Sequence, residues 1–143
     1  MAISSLALRT TTLTATTTAN WELRTAAAGR CKLLEWSYIN SSAATACSIG
    51  LGRPQAIGVT PVNVLFQRDD PADPASVTNA SLSWATSPTV PLIYHRRWGC
   101  AATIGVGVVW TFPRGLVIPI SSSIVCWNIA TTTGSDVNAI IDE

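Results

Sequence analysis

The sequence has 143 residues, a size typical of one domain. Its net charge of +1 excludes a strong field that would draw in nucleic acid, and no apolar run approaches the roughly 20 residues of a membrane-spanning helix. Hydrophobic residues make up 48%, which excludes an intrinsically disordered chain, while charged residues make up only 12%. Because so few charges would keep separate copies apart, we expect partners to cover much of the surface.

The first twenty residues differ from the rest, since they are rich in Thr and Ala and carry one charged side chain, Arg9. The stiff, branched side chain of Thr favours extended structure. We therefore predict an extended arm over residues 1–20, paired as an edge strand with its own domain or with a neighbour, and disorder is the competing interpretation. The segment lacks the basic start and the continuous apolar stretch of a signal peptide. Without export, we expect all four cysteines to stay reduced as small buried side chains.

From Trp21 onward, short alternating segments are separated by turn residues, which is typical of strands. Leu34, Trp36 and Tyr38 are predicted to share one face of the first of these strands. The segment 68–74, rich in Asp and Pro, is predicted as a loop, and 112–115 as a turn. The predicted strands are 31–39, 44–51, 62–66, 80–85, 91–98, 103–112, 116–120, 124–130 and 136–142.

No segment shows a sustained helical period with caps. Turn signals about every 8 to 12 residues indicate a sandwich or barrel, and eight or more strands with long connections fit a jelly roll. We therefore predict an all-β fold, with a jelly-roll-like antiparallel β-sandwich over residues 21–143 and the extended N-terminal arm before it.

The residues offer little for catalysis, so we predict that the chain is not an enzyme. His95 is the only histidine, and no nucleophile motif such as GxSxG accompanies it. Asp69, Asp70 and Asp73 do not have the spacing of an EF-hand loop, and no Gly-rich phosphate loop is present. We expect no metal and no cofactor.

Arginine and aromatic residues alternate around the one basic doublet, Arg96-Arg97, which lies between Tyr94 and Trp98. Such alternation occurs in grooves that bind nucleic acid, but a carboxylate on a protein partner fits a single doublet better. The candidate contact residues are Arg96, Arg97 and Trp98 on this strand and Arg9, Thr10, Thr11 and Thr12 in the arm.

Six tryptophans are many for so short a chain. Core packing accounts for those at strand midpoints, and carbohydrate binding is the alternative. Exposed tryptophans beside Asp or Asn would favour a lectin, whereas buried ones would favour a structural protein.

Several segments together carry a resemblance to a known group of proteins: WELRTAAAGR at 21–30, LGRP at 51–54, AIGVTP at 56–61, WTFPRGLVIP at 110–119, WNI at 127–129 and DE at 142–143. Over about residues 21 to 143 the sequence resembles small proteins encoded in the structural gene clusters of tailed phages and prophages.

The resemblance implies a virion structural protein with a jelly-roll fold that forms a homotrimer. It further implies a capsid decoration (cement) protein, made in the host cytoplasm and bound to the major capsid protein on the virion surface, with no nucleic-acid or membrane partner. A tail, baseplate or fibre component, or a carbohydrate-binding module on the virion, is the alternative. No catalytic residue is implied.

Overall fold

The computed structural model describes residues 2–10, 18–41, 46–130 and 134–143. Within these ranges the chain forms strands and connecting loops, and no helix is long and apolar enough to cross a membrane. The strands are β1 (Ile3–Thr10), β2 (Ala19–Arg24), β3 (Cys31–Asn40), β4 (Cys47–Pro54), β5 (Val59–Leu65), β6 (Gln67–Arg68), β7 (Asn79–Thr86), β8 (Pro91–Cys100), β9 (Gly107–Ile118), β10 (Ser123–Asn128) and β11 (Ser135–Asp142).

The strands form two antiparallel sheets, which confirms the predicted all-β sandwich. Sheet A has the order β6-β1-β11-β3-β9, and sheet B has the order β5-β7-β2-β10-β4-β8. Because one face of each sheet is apolar, the two sheets bury those faces against each other. The flank that carries β8 and β9 therefore lies opposite the flank that carries β5 and β6.

The pairing is nested along the chain. β1 pairs with β11, β2 with β10, β3 with β9 and β4 with β8, so the first four strands pair with the last four in reverse order. Two further pairs, β11 with β3 and β10 with β4, join these eight strands into sheets, and β6, β7 and β5 extend them through β1–β6, β2–β7 and β5–β7 pairs. The strands β5, β6 and β7 form an excursion between β4 and β8.

Aromatic side chains dominate the core between the sheets. Trp36 is fully buried and stacks on Trp110 of the neighbouring strand, with ring centroids 5.1 Å apart. Trp21 and Tyr38 each lie 6.1 Å from the Trp36 ring. Such aromatic pairs contribute about 0.5–1.5 kcal/mol beyond the area that they bury. Aliphatic side chains surround them: Leu23, Leu33, Ile49, Leu51, Ile118, Ile124 and Ile141.

A bulge in β3 changes which side chains reach this core. The prediction that Trp36 and Tyr38 share a buried face is confirmed, but Leu34 is only partly buried and Leu33 is fully buried. In the pairing of β3 with β11, Glu35 and Leu33 lie opposite the consecutive residues Ile140 and Ile141, so Leu34 is an extra residue on β3. An extra residue at that point turns every side chain before it to the opposite face.

The predicted turn at 112–115 is wrong, because β9 runs through it as one strand. Gly115 takes a φ of 69°, a left-handed conformation that glycine adopts without strain. Pro113 is tolerated because β9 is an edge strand and pairs on one side only.

Part of the predicted arm is a strand of this domain's own sheet. β1 lies between β6 and β11, and the Ala2 N–H and the Glu143 N–H each donate to the other's carbonyl, at 2.9 and 3.0 Å. Residues 11–17 lie outside the described residues, and β2 begins at Ala19. Contact of the arm with a neighbouring subunit stays a prediction.

The expectation that all cysteines are reduced is wrong for Cys47, which is disulfide-bonded and whose backbone lies opposite Cys100 across β4 and β8. Cys31 and Cys126 are free and buried. Burial raises the pKa of the Cys31 thiol to about 12 and holds the pKa of Cys126 far above its usual range. Both therefore stay protonated and unreactive at neutral pH.

Candidate functional site

The most exposed feature is the flank formed by β8 and β9. Each is the edge strand of its sheet, with 10 and 12 residues. The Arg96 guanidinium carbon lies 5.4 Å from the centroid of the Phe112 ring, so the two edges adjoin. Long edge strands present unpaired N–H and C=O groups, and such edges invite contact with another chain.

Large apolar side chains are exposed on this flank. Leu92 and Ile93 at the start of β8 are 79% and 81% exposed, the highest values among the large apolar side chains described. Val109 and Val117 of β9 are also exposed. Exposed apolar side chains on an edge strand are typical of surfaces that contact other molecules.

Arginines from three strands lie on or beside these two edge strands. Arg53 of β4 donates from Nη2 to the carbonyl of Val117 at 2.7 Å. Arg96 and Arg114 line a groove of about 360 Å³ together with Phe112, and the Arg97 guanidinium carbon lies 5.6 Å from the Tyr94 ring centroid. We call this surface the basic flank: Leu92, Ile93, Arg53, Arg96, Arg97 and Arg114.

None of the four arginines forms an ion pair within the described residues, where Arg9 and Asp136 make the one ion pair found. The electrostatic effect is visible at His95, whose pKa is lowered by burial and further by Arg53 and Arg96. His95 is therefore neutral at pH 7. Its imidazole has no hydrogen-bond partner in the part of the chain that the structure describes, so nothing there orients it as a catalytic base.

The side chains of the three predicted contact residues on β8, Arg96, Arg97 and Trp98, point in different directions. Arg96 lies at the sandwich edge over Phe112, and Arg97 lies beside Tyr94. Trp98 is half-buried and packs edge-on against Tyr38, with ring centroids 6.3 Å apart. Trp98 therefore belongs to the core, and the two arginines are the members available to a partner.

The predicted contact residues in the arm lie elsewhere. Arg9 donates to both carboxylate oxygens of Asp136, at 2.7 and 2.9 Å, and this holds the pKa of Asp136 below its usual range. Thr10 is buried and hydrogen-bonded to Ser135. Since β1 is three strands away from β9, about 14 Å at ~4.8 Å per strand, these residues do not adjoin the basic flank. Thr11 and Thr12 lie outside the described residues.

Sequence reasoning missed most of the basic flank. Arg53 and Arg114 come from β4 and β9, and nothing in the linear sequence indicates that they meet Arg96. Leu92 and Ile93 are consecutive apolar residues in a strand, a pattern equally typical of a buried strand. To place Arg53 beside the β8 residues, one would have needed to know how β4 pairs with β8.

The aspartate loop has a structural explanation. Asp70 Oδ1 accepts the Ala72 N–H at 2.9 Å, and Ser5 Oγ donates to Asp69 Oδ1 at 2.7 Å. Among the residues that the structure describes, no group of three or more His, Cys, Asp or Glu side chains is placed to hold a metal ion.

The tryptophans lie mostly inside the molecule. Trp21, Trp36 and Trp127 are buried, and Trp84, Trp98 and Trp110 are half-buried. A second groove of about 550 Å³ lies on the outer face of sheet B, lined by Thr89, Val90, Tyr94, Trp127 and Ile129. Its Thr89 hydroxyl is already bonded to the backbone of Ala56, so few polar atoms remain for sugar hydroxyl groups.

The comparisons with known proteins identify no relative. No family model matches the chain, no curated protein matches it, and no solved structure matches it. The function must therefore be argued from the fold and from the exposed flank.

Proposed function

We propose that the chain is a structural protein of a tailed-phage virion, a trimeric decoration (cement) protein that stabilises the head by bridging capsomers. The observation that carries this proposal is the basic flank, where Leu92 and Ile93 are exposed on a long edge strand and four arginines form no ion pair with any residue that the structure describes. A surface of this kind is suited to binding another protein.

We also propose that the sandwich is a jelly roll. Eight strands, β1–β4 and β8–β11, pair first with last through the nested order described above. Folding such a doubled chain into two four-stranded layers produces the two Greek keys of a jelly roll. In this proposal β5, β6 and β7 are an insertion between the fourth and fifth strands of the roll.

The mechanism of a cement protein is mechanical. A trimer that contacts several capsomers binds the assembled shell but not its separated subunits, so it stabilises the shell by mass action. Attachment through three copies multiplies the effective affinity. The burial of the tryptophans favours this function over a lectin, because sugars stack on exposed rings.

Co-sedimentation tests the proposal. Purified protein is mixed with expanded, undecorated heads of the encoding phage and pelleted, and light scattering gives its mass in solution. We expect saturable binding of a trimer at a fixed ratio to the major capsid protein. Dissociated capsid subunits are the control and should not bind. A trimer that does not co-sediment with heads would contradict the cement function and favour a tail, fibre or sugar-binding role.

A further inference from the structure

The flank opposite the basic flank carries the opposite charge. It consists of the edge strands β5 and β6 and the loop that follows them, where Asp69, Asp70 and Asp73 lie within five residues. We call this surface the acidic flank: β5, β6 and the loop 69–73. Four strand spacings in sheet A and five in sheet B, about 19 to 24 Å, separate it from the basic flank.

The aspartates are held in a defined loop without ion pairs. The Asp69 N–H donates to the carbonyl of Ile3 at 2.9 Å, and the Asp73 N–H donates to the carbonyl of Asp70 at 3.1 Å. Arg68 is the nearby cation, and its guanidinium donates to the backbone carbonyl of Asp73. Within the described residues no carboxylate of this loop is paired with an arginine or lysine.

Apolar side chains accompany the charges here as well. Val59, Val62 and Leu65 of β5 are 55%, 64% and 54% exposed. Each flank therefore combines an unpaired strand edge, exposed aliphatic side chains and a net charge of one sign, since the three aspartates outnumber Arg68 on the acidic flank. Because the two flanks lie on opposite sides of the sandwich, one molecule cannot bring them together.

We propose that the basic flank of one copy binds the acidic flank of the next copy. A contact between two different surfaces of the same chain is heterologous, and it gives a closed ring when the rotation between copies closes. The proposed trimer is such a ring, with three equal contacts. This inference rests on the self-assembly included in the proposed function, and it specifies the surfaces involved.

The apolar start of β8 and the acidic loop 69–73 lie at the same end of the strands, whereas Arg96 lies further along β8, opposite Leu51. Val59 lies at the other end of β5, opposite Thr86. The register across sheet B leads from Pro91, beside Leu92, through the neighbouring strands to Leu65. The loop 69–73 begins at this end too, beside Ile3 in sheet A. Patches at a common height favour a closed ring, whereas patches at opposite ends would favour an open helical filament.

Charge reversal tests the contact. One variant carries Arg96→Glu and Arg114→Glu, a second carries Asp70→Lys and Asp73→Lys, and a third carries all four changes. We expect each double variant to weaken trimer formation at least about 100-fold, because like charges then face each other. The fourfold variant restores opposite charges and should assemble within about tenfold of the wild type.

A control is Arg9→Glu, which changes the net charge by the same amount per residue and lies at the end of β1 opposite the loop 69–73, three strands from β9. It should leave the trimer intact. Thermal melting shows whether each variant folds. If a double variant does not fold, the salt dependence of wild-type assembly is measured instead. The dissociation constant of the wild-type trimer should then rise steadily between about 0.05 and about 1 M NaCl.

The results separate this inference from the proposed function. A wild-type chain that stays monomeric, double variants with wild-type affinity, a salt-independent trimer, or dissociation by Arg9→Glu would each overturn the flank-to-flank contact. Trimers that respond as expected but ignore phage heads would leave the contact standing and contradict the cement function. Double variants that keep the wild-type trimer affinity and still bind heads would contradict the flank-to-flank contact and leave the cement function standing.

Discussion

A buried carboxylate ties the β5–β7 excursion to the sandwich, and its hydrogen bonds can be tested one at a time. Glu22 of β2 is fully buried. Its Oε2 accepts the indole N–H of Trp84 at 2.7 Å, and its Oε1 accepts the Gly58 N–H at 3.2 Å. A Cβ on Gly58 would lie 2.2 Å from the Trp84 ring, so the three groups are closely packed. We predict that Trp84→Phe is destabilising mainly because it removes the donor to this carboxylate.

The magnitude follows from two contributions. A hydrogen bond to a charged group contributes about 1.5–3 kcal/mol, and the smaller ring of Phe loses about 1 kcal/mol of packing at this half-buried site. Trp84→Phe should therefore lower the free energy of unfolding by about 2.5–4 kcal/mol in the native background. In a Glu22→Met background only the packing loss of about 1 kcal/mol should remain.

Urea denaturation of the four proteins in this cycle, at one protein concentration, measures the coupling between Glu22 and Trp84. The expected coupling is about 1.5–3 kcal/mol. Trp98→Phe is the matched control, since its indole N–H has no hydrogen-bond partner in the described residues, and it should show no coupling to Glu22. A coupling below about 0.5 kcal/mol for Trp84 would refute the argument, because the donor would then be dispensable.

Three further predictions concern other parts of the sandwich. Gly50→Ala should lower the melting temperature, since its Cβ would lie 2.5 Å from a ring atom of the neighbouring strand, whereas Gly99→Ala, with 3.8 Å of clearance, should not. Arg9→Gln should return the pKa of the Asp136 carboxyl to its usual range, as measured by NMR titration. Because this pKa is depressed in the folded protein, the ion pair stabilises the fold at pH values above the unfolded-state pKa. That stabilisation is lost as the pH falls through the folded-state pKa. Cys47 should react with a thiol reagent in denaturant only after reduction, and labelling without reductant would contradict its disulfide.

The sequence pattern was sufficient for most strands, but it missed β2 and β6 and did not determine every buried face. Alternation locates β3, β7, β8, β10 and β11 closely, because apolar and polar side chains take turns along them. It fails at the bulge in β3, since one extra residue exchanges the faces without leaving a local signal. It also predicts a turn at 112–115, where an unpaired edge permits the strand to continue.

The basic flank was predicted only in part, for a related reason. Arg96 and Arg97 are visible as a doublet, but Arg53 and Arg114 join them only through the pairing of β4 with β8 and the approach of β8 to β9. Predicting the acidic flank from the sequence requires even more information, namely the strand order of both sheets. Asp69, Asp70 and Asp73 are explained locally as a loop, and only the strand order places them opposite the arginines.

The nested pairing also governs when the fold can form during synthesis. Ile3 is paired with Asp142, and Thr10 with Ser135. β1 therefore cannot pair with β11 until nearly the whole chain has been synthesised. Contacts between residues so far apart in sequence are slow to form, since a long loop must close first. The pair of β4 and β8 has the shortest separation of the four nested pairs, and its strands leave the ribosome before β11. The edge bearing Leu92 and Ile93 can therefore be complete while the first strand is still single. Nascent chains on one messenger are then exposed to premature contact through that edge.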